Sequence, residues 1–207
     1  MTDQRLARME EILWPDGPRQ QVWMIVDGAR TIEIFRMLID CHLEYACLYS
    51  GKLAPELEIA APYLVQLDYD YRDTRRLLRR AWGNHWGVFL KSETSLKKLA
   101  RHLREFLIVR DERGKRLVFR YYDPRVLRVY LPTCNAAELH MLYGPIECFW
   151  TEADTSDHLL EFRMRSGVLE QWNCQLETRQ SQLIRNPLLE AKQHATATEL
   201  DAGVGAA

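Results

Sequence analysis

The stretch Phe119-Arg120-Tyr121-Tyr122-Asp123-Pro124-Arg125-Val126-Leu127 predicts a strand that runs directly into a helix. Asp123 is a suitable N-cap, because its carboxylate can accept hydrogen bonds from the free backbone N–H groups at a helix start. Pro124 fits the first helical position, where a missing N–H has no cost. Arg120 and Arg125 can fix this junction to Asp123 through charge-assisted hydrogen bonds. We call the junction the corner; it can be purely structural, or it can shape a binding groove.

Strands and helices alternate on both sides of the corner. Residues 22–26 form a continuous apolar run with β-branched side chains, as expected of a buried strand. Residues 96–107 place apolar side chains on one helical stripe and basic side chains off it. Residues 117–122 are predicted as a strand, and residues 168–184 again show apolar side chains at helical intervals. The pattern predicts an α/β fold with a mixed β-sheet, flanking helices and a helical C-terminal extension.

The chain has the length of one ordinary domain with tails. Residues 1–20 are predicted as an N-terminal helix and linker, because Pro15-Asp16-Gly17-Pro18 breaks the helix. Residues 21–165 are predicted to form the α/β domain, and residues 166–187 an amphipathic C-terminal helix. Residues 188–207 are small and polar, and are predicted to be a disordered tail.

The composition predicts a soluble cytoplasmic protein. Of the 207 residues, 47% are hydrophobic, which is enough for a sizeable core, and the formal net charge is −1. This charge does not favour nucleic acid or an anionic membrane as the partner of the whole chain. There is no long apolar run, and the N-terminus lacks the pattern of a signal peptide. Five widely spaced cysteines are typical of reduced thiols: Cys41, Cys47, Cys134, Cys148 and Cys174.

Three further pairs of stretches stand in a fixed order around the corner. They are Leu48-Tyr49-Ser50-Gly51 with Ala61-Pro62-Tyr63-Leu64-Val65, Trp86-Gly87-Val88-Phe89-Leu90 with the helix that follows, and Tyr143-Gly144-Pro145-Ile146 with the aromatic strand after it. With the corner, this ordered set resembles the type VI secretion effector chaperone (adaptor) family, across residues 22–150. The residues that carry the resemblance are Gly51, Pro62, Arg120, Tyr122, Asp123, Pro124, Arg125, Gly144 and Pro145.

The resemblance implies a function in binding rather than catalysis. Proteins of that family hold an effector in the cytoplasm and help to mount it on a VgrG-type spike. The expected partners are therefore a cognate type VI effector and a VgrG-type spike protein, with no nucleic acid and no membrane. The resemblance supplies no catalytic residue, so we expect no enzyme activity, no cofactor and no metal.

Five arginines are the strongest charge feature of the sequence. At 100° per residue they fall along one face of a predicted helix, and like charges on one face repel, so an acidic partner would relieve a cost. Local pairing with Asp68, Asp70 or Asp73 is the alternative. We call this surface the arginine face; it consists of Arg72, Arg75, Arg76, Arg79 and Arg80.

The predicted C-terminal helix is the second candidate for partner contact. It is amphipathic and lies outside the stretches that carry the resemblance, and an effector chaperone needs an exposed apolar patch. We expect Trp172 and Leu176 to contact the partner from this helix.

Two other functions remain open at this point. In the first, Asp68, Asp70 and His85 hold a divalent metal and act on a phosphate-bearing substrate, since carboxylate oxygens are ligands for hard cations. In the second, the arginine face binds nucleic acid without sequence preference. The near-neutral total charge counts against the second function.

Overall fold

A computed structural model describes residues 1–184. Its helices and strands, in chain order, are α1 Asp3–Leu13, β1 Val22–Asp27, α2 Ile32–Asp40, β2 Tyr45–Cys47, α3 Pro55–Ile59, β3 Pro62–Leu67, α4 Arg72–Ala81, β4 Gly87–Lys91, α5 Leu96–Arg104, β5 Ile108–Arg110, β6 Arg116–Val118, α6 Pro124–Tyr130, α7 Ala136–Tyr143, β7 Cys148–Glu152, β8 His158–Arg165, β9 Val168–Gln175 and β10 Ser181–Ile184.

Eight strands form one large sheet, with the order β10-β9-β8-β7-β4-β1-β3-β2. The combination of this sheet with flanking helices confirms the predicted α/β class. The prediction of a mixed sheet is corrected, since every pairing among the described strands is antiparallel. The four last strands follow one another in the sheet as they do in the chain, and antiparallel pairing allows such short connections.

Both faces of the sheet are covered by helices, which explains the unbroken apolar sequence of β1. Trp23 and Ile25 face a core that contains residues of α5, α6 and α7. Met24 and Val26 face a second core that contains residues of α1, α2 and α4. Alternate β1 side chains point to opposite faces, so a strand between two helical layers must be apolar at every position.

The N-terminal helix shares the second core with the sheet. Leu6, Met9 and Leu13 of α1 are almost fully buried there. Thr2 caps the helix by accepting a hydrogen bond from the backbone N–H of Arg5. Residues 1–13 are thus packed as part of the domain that the sheet defines.

The predicted C-terminal helix is wrong, because residues 168–184 form strands β9 and β10. The cause is a two-residue turn between β8 and β9, in which Ser166 and Gly167 both have positive φ values of 51° and 77°. Such turns match the twist of a β-hairpin and commit the following residues to pairing with the previous strand. Residues 185–187 of the predicted helix, and the predicted tail 188–207, lie outside the described residues.

The strand before the corner is shorter than predicted. β6 ends at Val118 and pairs only with β5, as a two-stranded sheet separate from the large one. Tyr121 and Tyr122 lie in a turn, and their side chains are buried. The Tyr121 hydroxyl donates a hydrogen bond of 2.8 Å to the backbone oxygen of Leu103. Burial of both rings against α5 and α6 therefore replaces the last part of the predicted strand.

Candidate functional sites

The corner has the predicted cap geometry. Asp123 is the N-cap of α6, and its Oδ1 accepts a 3.0 Å hydrogen bond from the backbone N–H of Arg125. The Arg125 guanidinium donates to both carboxylate oxygens, at 3.0 and 2.6 Å. Burial raises the pKa of the Asp123 carboxyl, but these hydrogen bonds and the charge of Arg125 outweigh burial and hold the pKa below its ordinary value. The carboxylate is thus a fixed, charged part of the fold.

Arg120 does not pair with Asp123 as predicted, but with Asp27 at the end of β1. The Arg120 guanidinium donates to Oδ2 of Asp27, whose side chain is almost completely buried. Oδ1 of Asp27 accepts a hydrogen bond from the backbone N–H of Ala29. The sequence analysis did not single out Asp27, because its partner lies 93 residues later in the chain.

The remaining motif residues also have structural positions. Gly51 and Gly144 have positive φ values of 88° and 46°, and a Cβ at Gly144 would collide with the His102 ring. The backbone oxygen of Pro62 accepts from the N–H of Leu48, and that of Pro145 accepts from the Ser92 hydroxyl, both at 2.8 Å. Tyr122 is buried beneath the corner, and burial raises the pKa of its hydroxyl. Together they hold loops in place around the sheet.

A second buried carboxylate, Glu152, lies at the same end of the sheet. Its Oε1 accepts a 3.0 Å hydrogen bond from the backbone N–H of Gly83. Burial, opposed by the backbone N–H groups of Gly83 and His85, raises the pKa of Glu152 to about 7. Nδ1 of His85 lies 2.8 Å from Oε2 of Glu152, although the two groups are not aligned for a hydrogen bond. Burial, and then repulsion from Arg125 and Arg30, lowers the pKa of His85.

The arginine face forms as predicted on α4. Asp73, Thr74, Leu77, Leu78 and Ala81 are buried, and the arginines lie on the opposite side of the helix, around an open groove. Most of them are paired within the protein, however. Arg75 donates to both carboxylate oxygens of Glu10 at 2.8 Å and also pairs with Asp70 at 2.6 Å. The other pairs are Arg72 with Asp73, Arg79 with Asp3, and Arg80 with Glu33.

These ion pairs show that the arginine face has a structural role. Glu10 and Asp3 belong to α1, so two of the ion pairs attach the N-terminal helix to α4. Within residues 1–184, Arg76 is the one arginine of the face that has no carboxylate partner. Pairing within the chain is therefore observed for four of the five side chains, but only Arg72 and Arg75 pair with acids that the local alternative named. The sequence suggested Asp70 and Asp73 as partners, but not the acids of α1.

The structure does not bring the proposed catalytic residues together. Asp68 and Asp70 follow the end of β3, which lies beside the start of β1 at Val22. His85 precedes β4, whose first residue Gly87 lies beside Val26 near the other end of β1. At 3.3 Å per residue the two ends are separated by on the order of 15 Å. No group of three potential metal ligands occurs among the described residues.

The predicted contact residues at the C-terminus lie on β9 and just after it. Leu176 has no exposed surface and belongs to the core, so it cannot contact a partner without rearrangement. Trp172 is partly buried and packs against the same core. The expectation of an exposed apolar helix is corrected, because this segment forms strands of the sheet and its buried apolar residues pack into the two cores.

One exposed apolar element was missed by the sequence reasoning. β5 and β6 form a hairpin in which all six residues are exposed. We call residues 108–118 the β-arm. The available signal was two short aliphatic runs on either side of the turn at Arg113-Gly114, but the second run was assigned to a longer strand that reached the corner.

Comparison with known proteins identifies a family. A family model described as Domain of unknown function (DUF4123) matches residues 22–141, which is more than half of the chain. The chain therefore belongs to this family. The match covers β1 to β6 and the corner, and strands β7 to β10 follow it. The search of curated proteins found no match, and neither did the search of solved structures.

Within residues 1–184 no helix has the length and apolar character needed to cross a membrane.

Proposed function

We propose that this protein is a cytoplasmic adaptor and chaperone, which binds a type VI secretion effector, keeps it soluble and loads it onto a VgrG-type spike. The observation that carries the proposal is membership of the DUF4123 family over residues 22–141. The ordered stretches that resemble the effector chaperones lie mostly within that match. The same resemblance favours protein binding over catalysis.

An adaptor of this kind needs a rigid body and an exposed contact surface. The corner, Asp27 and Glu152 support the rigid body, because each places a buried carboxylate among fixed donors at one end of the sheet. The β-arm supports the second requirement, because its aliphatic side chains are exposed. A stable and specific complex would bury about 1,200–2,000 Å² in total, so the contact extends beyond any single element.

The test is affinity capture of the tagged full chain in its native host at moderate salt, read by mass spectrometry. We expect recovery of one large toxin-like protein encoded near the gene, with or without a VgrG-type protein. An untagged strain serves as the control. Recovery of nucleic acid alone, or of nothing above the control, would contradict the proposal.

A further inference from the structure

The β-arm is a two-stranded hairpin, and no other described strand pairs with it. Ile108 pairs with Val118, Val109 with Leu117, and Arg110 with Arg116. Among the described residues no third strand joins this sheet, so both of its long edges are open. An isolated two-stranded hairpin is marginally stable in water, and an open edge is a template for a further strand.

The arm also exposes four aliphatic side chains next to one another. Ile108, Val109, Leu117 and Val118 are exposed by 41%, 38%, 42% and 56%. Single exposed apolar residues are ordinary, but a contiguous apolar group on one short element is typical of an interaction surface. Because pairing places Ile108 with Val118 and Val109 with Leu117, each face of the hairpin carries an aliphatic pair.

The charges of the arm differ from those of the arginine face. Arg113, Lys115 and Arg116 make no ion pair within residues 1–184. Asp111, one of the two acids of the arm, instead accepts hydrogen bonds from the backbone N–H groups of Arg113 and Lys115 at 3.0 and 2.8 Å. Basic side chains next to open strand edges favour an acidic partner segment. Lys115 and Arg116 lie on the β6 side, so the charge favours that edge.

We propose that the β6 edge of the β-arm binds an extended segment of the effector by strand addition. The segment would carry two consecutive aliphatic residues, which pack on Leu117 and Val118, next to two consecutive Asp or Glu residues, which pair with Lys115 and Arg116, because successive strand residues face opposite sides of a sheet. Main-chain hydrogen bonds give such a complex its affinity, and the alternate side chains give it specificity. This inference rests on the proposed function, because it takes the effector as the partner.

A defined peptide tests the site directly. The probe is a capped ten-residue peptide that repeats two valines followed by two glutamates, added to the ¹⁵N-labelled full chain and followed by NMR. We expect shifts in the amide signals of residues 108–118, and no comparable shifts from a peptide that carries lysine in place of glutamate. No perturbation of the arm, or equal perturbation by both peptides, would overturn the inference.

Charge reversal supplies the matched variants. Lys115→Glu with Arg116→Glu should weaken binding of the acidic peptide by about tenfold or more, since both charge contacts become repulsive. Arg36→Glu with Arg76→Glu is the control, because these two exposed arginines also have no carboxylate partner among residues 1–184 and the net charge change is the same. Unchanged pairing of Val109 with Leu117 by NMR shows that the arm is still folded. Equal weakening in both double variants would overturn the site.

The effector itself separates the two proposals. If the wild-type chain co-purifies with an effector and the Lys115→Glu/Arg116→Glu variant does so equally well, the adaptor function stands and the β-arm site is wrong. If the wild-type chain co-purifies with no effector, the proposed function is wrong, and the inference that the arm binds an effector segment is overturned with it.

Discussion

Two basic surfaces of this protein look alike in the sequence and differ in the structure. The arginine face of α4 carries five arginines, four of which pair with carboxylates of the same chain. The β-arm carries Arg113, Lys115 and Arg116, which have no carboxylate partner within residues 1–184. The difference shows that a row of basic residues does not by itself define a binding surface. Whether basic side chains are available to a partner depends on whether the fold places acidic side chains beside them.

Burial of the acid sets the importance of each pair. Glu10 is only 4% exposed and depends on Arg75, whereas Asp3 is an exposed partner of Arg79. Breaking a pair that contains a buried charge is costly, and an exposed pair contributes little. Asp73, the partner of Arg72, is equally buried but also accepts a hydrogen bond from the backbone N–H of His42. The arginine face therefore combines one structural arginine with neighbours whose removal the fold should tolerate.

The largest effect is expected at Glu152, a buried acid that makes no ion pair with an arginine within residues 1–184. Its pKa of about 7 in the folded protein lies above the ordinary value of 4.5. The folded state thus binds this proton more tightly, and the resulting stabilisation is complete below about pH 4.5 and is lost as the pH rises through 7. Glu152→Gln should raise the free energy of unfolding relative to the wild type by about 3 kcal/mol at pH 8 and by less than about 1 kcal/mol at pH 5.

Urea unfolding of both proteins at pH 5, 6, 7 and 8 measures this difference. The pKa of His85 is lowered, so His85 decreases the free energy of unfolding as the pH falls below 6.5, which is the opposite pH dependence. The quantity to follow is therefore the difference in the free energy of unfolding between the variant and the wild type. A difference that is the same at pH 5 and pH 8 would show that Glu152 is ionised in the folded state.

The next effect is expected for Arg75→Ala. The substitution leaves the buried Glu10 carboxylate without its two hydrogen bonds, and we expect a loss of about 2 kcal/mol, reduced from the value for a fully buried pair because Arg75 is partly exposed. Arg79→Ala is the matched control on the same helix, because its partner Asp3 is exposed, with an expected loss below about 0.5 kcal/mol. Equal losses for the two variants, measured by urea unfolding at pH 7, would remove the distinction within the arginine face.

The smallest effect on stability is expected for Arg116→Ala on the β-arm. Its side chain makes no ion pair within residues 1–184, so the free energy of unfolding should change by less than about 0.5 kcal/mol. The same variant should weaken binding of the acidic peptide and lower the dependence of that binding on salt. A loss of stability comparable to that of Arg75→Ala would mean that Arg116 supports the fold, and that the two surfaces are not different in kind.

The sequence predicted best where local chemistry decides the structure. The cap at Asp123 and Pro124 at the first helical position are both confirmed. The side of α4 that bears the arginines is also confirmed, because helical geometry alone determines it. These features depend on neighbours within one or two helical turns.

The sequence predicted least where distant segments meet. The pairs of Arg75 with Glu10 and of Arg120 with Asp27 join residues 65 and 93 positions apart, so only the fold reveals them. The C-terminal helix was wrong because aliphatic spacing in residues 168–184 fits a helix, while the turn at Ser166-Gly167 enforces a hairpin. The β-arm was missed because strand propensity does not show whether a strand joins the main sheet.

The most direct test of the account is co-purification of the effector with three forms of the full chain, at equal expression and moderate salt. The effector is the one that affinity capture identifies with the wild type. We predict that the wild type and the Arg36→Glu/Arg76→Glu variant retain it, and that the Lys115→Glu/Arg116→Glu variant loses it. If the β-arm variant retained the effector and the control variant lost it, the account would be contradicted. That result would indicate that a helical surface of the domain binds the partner.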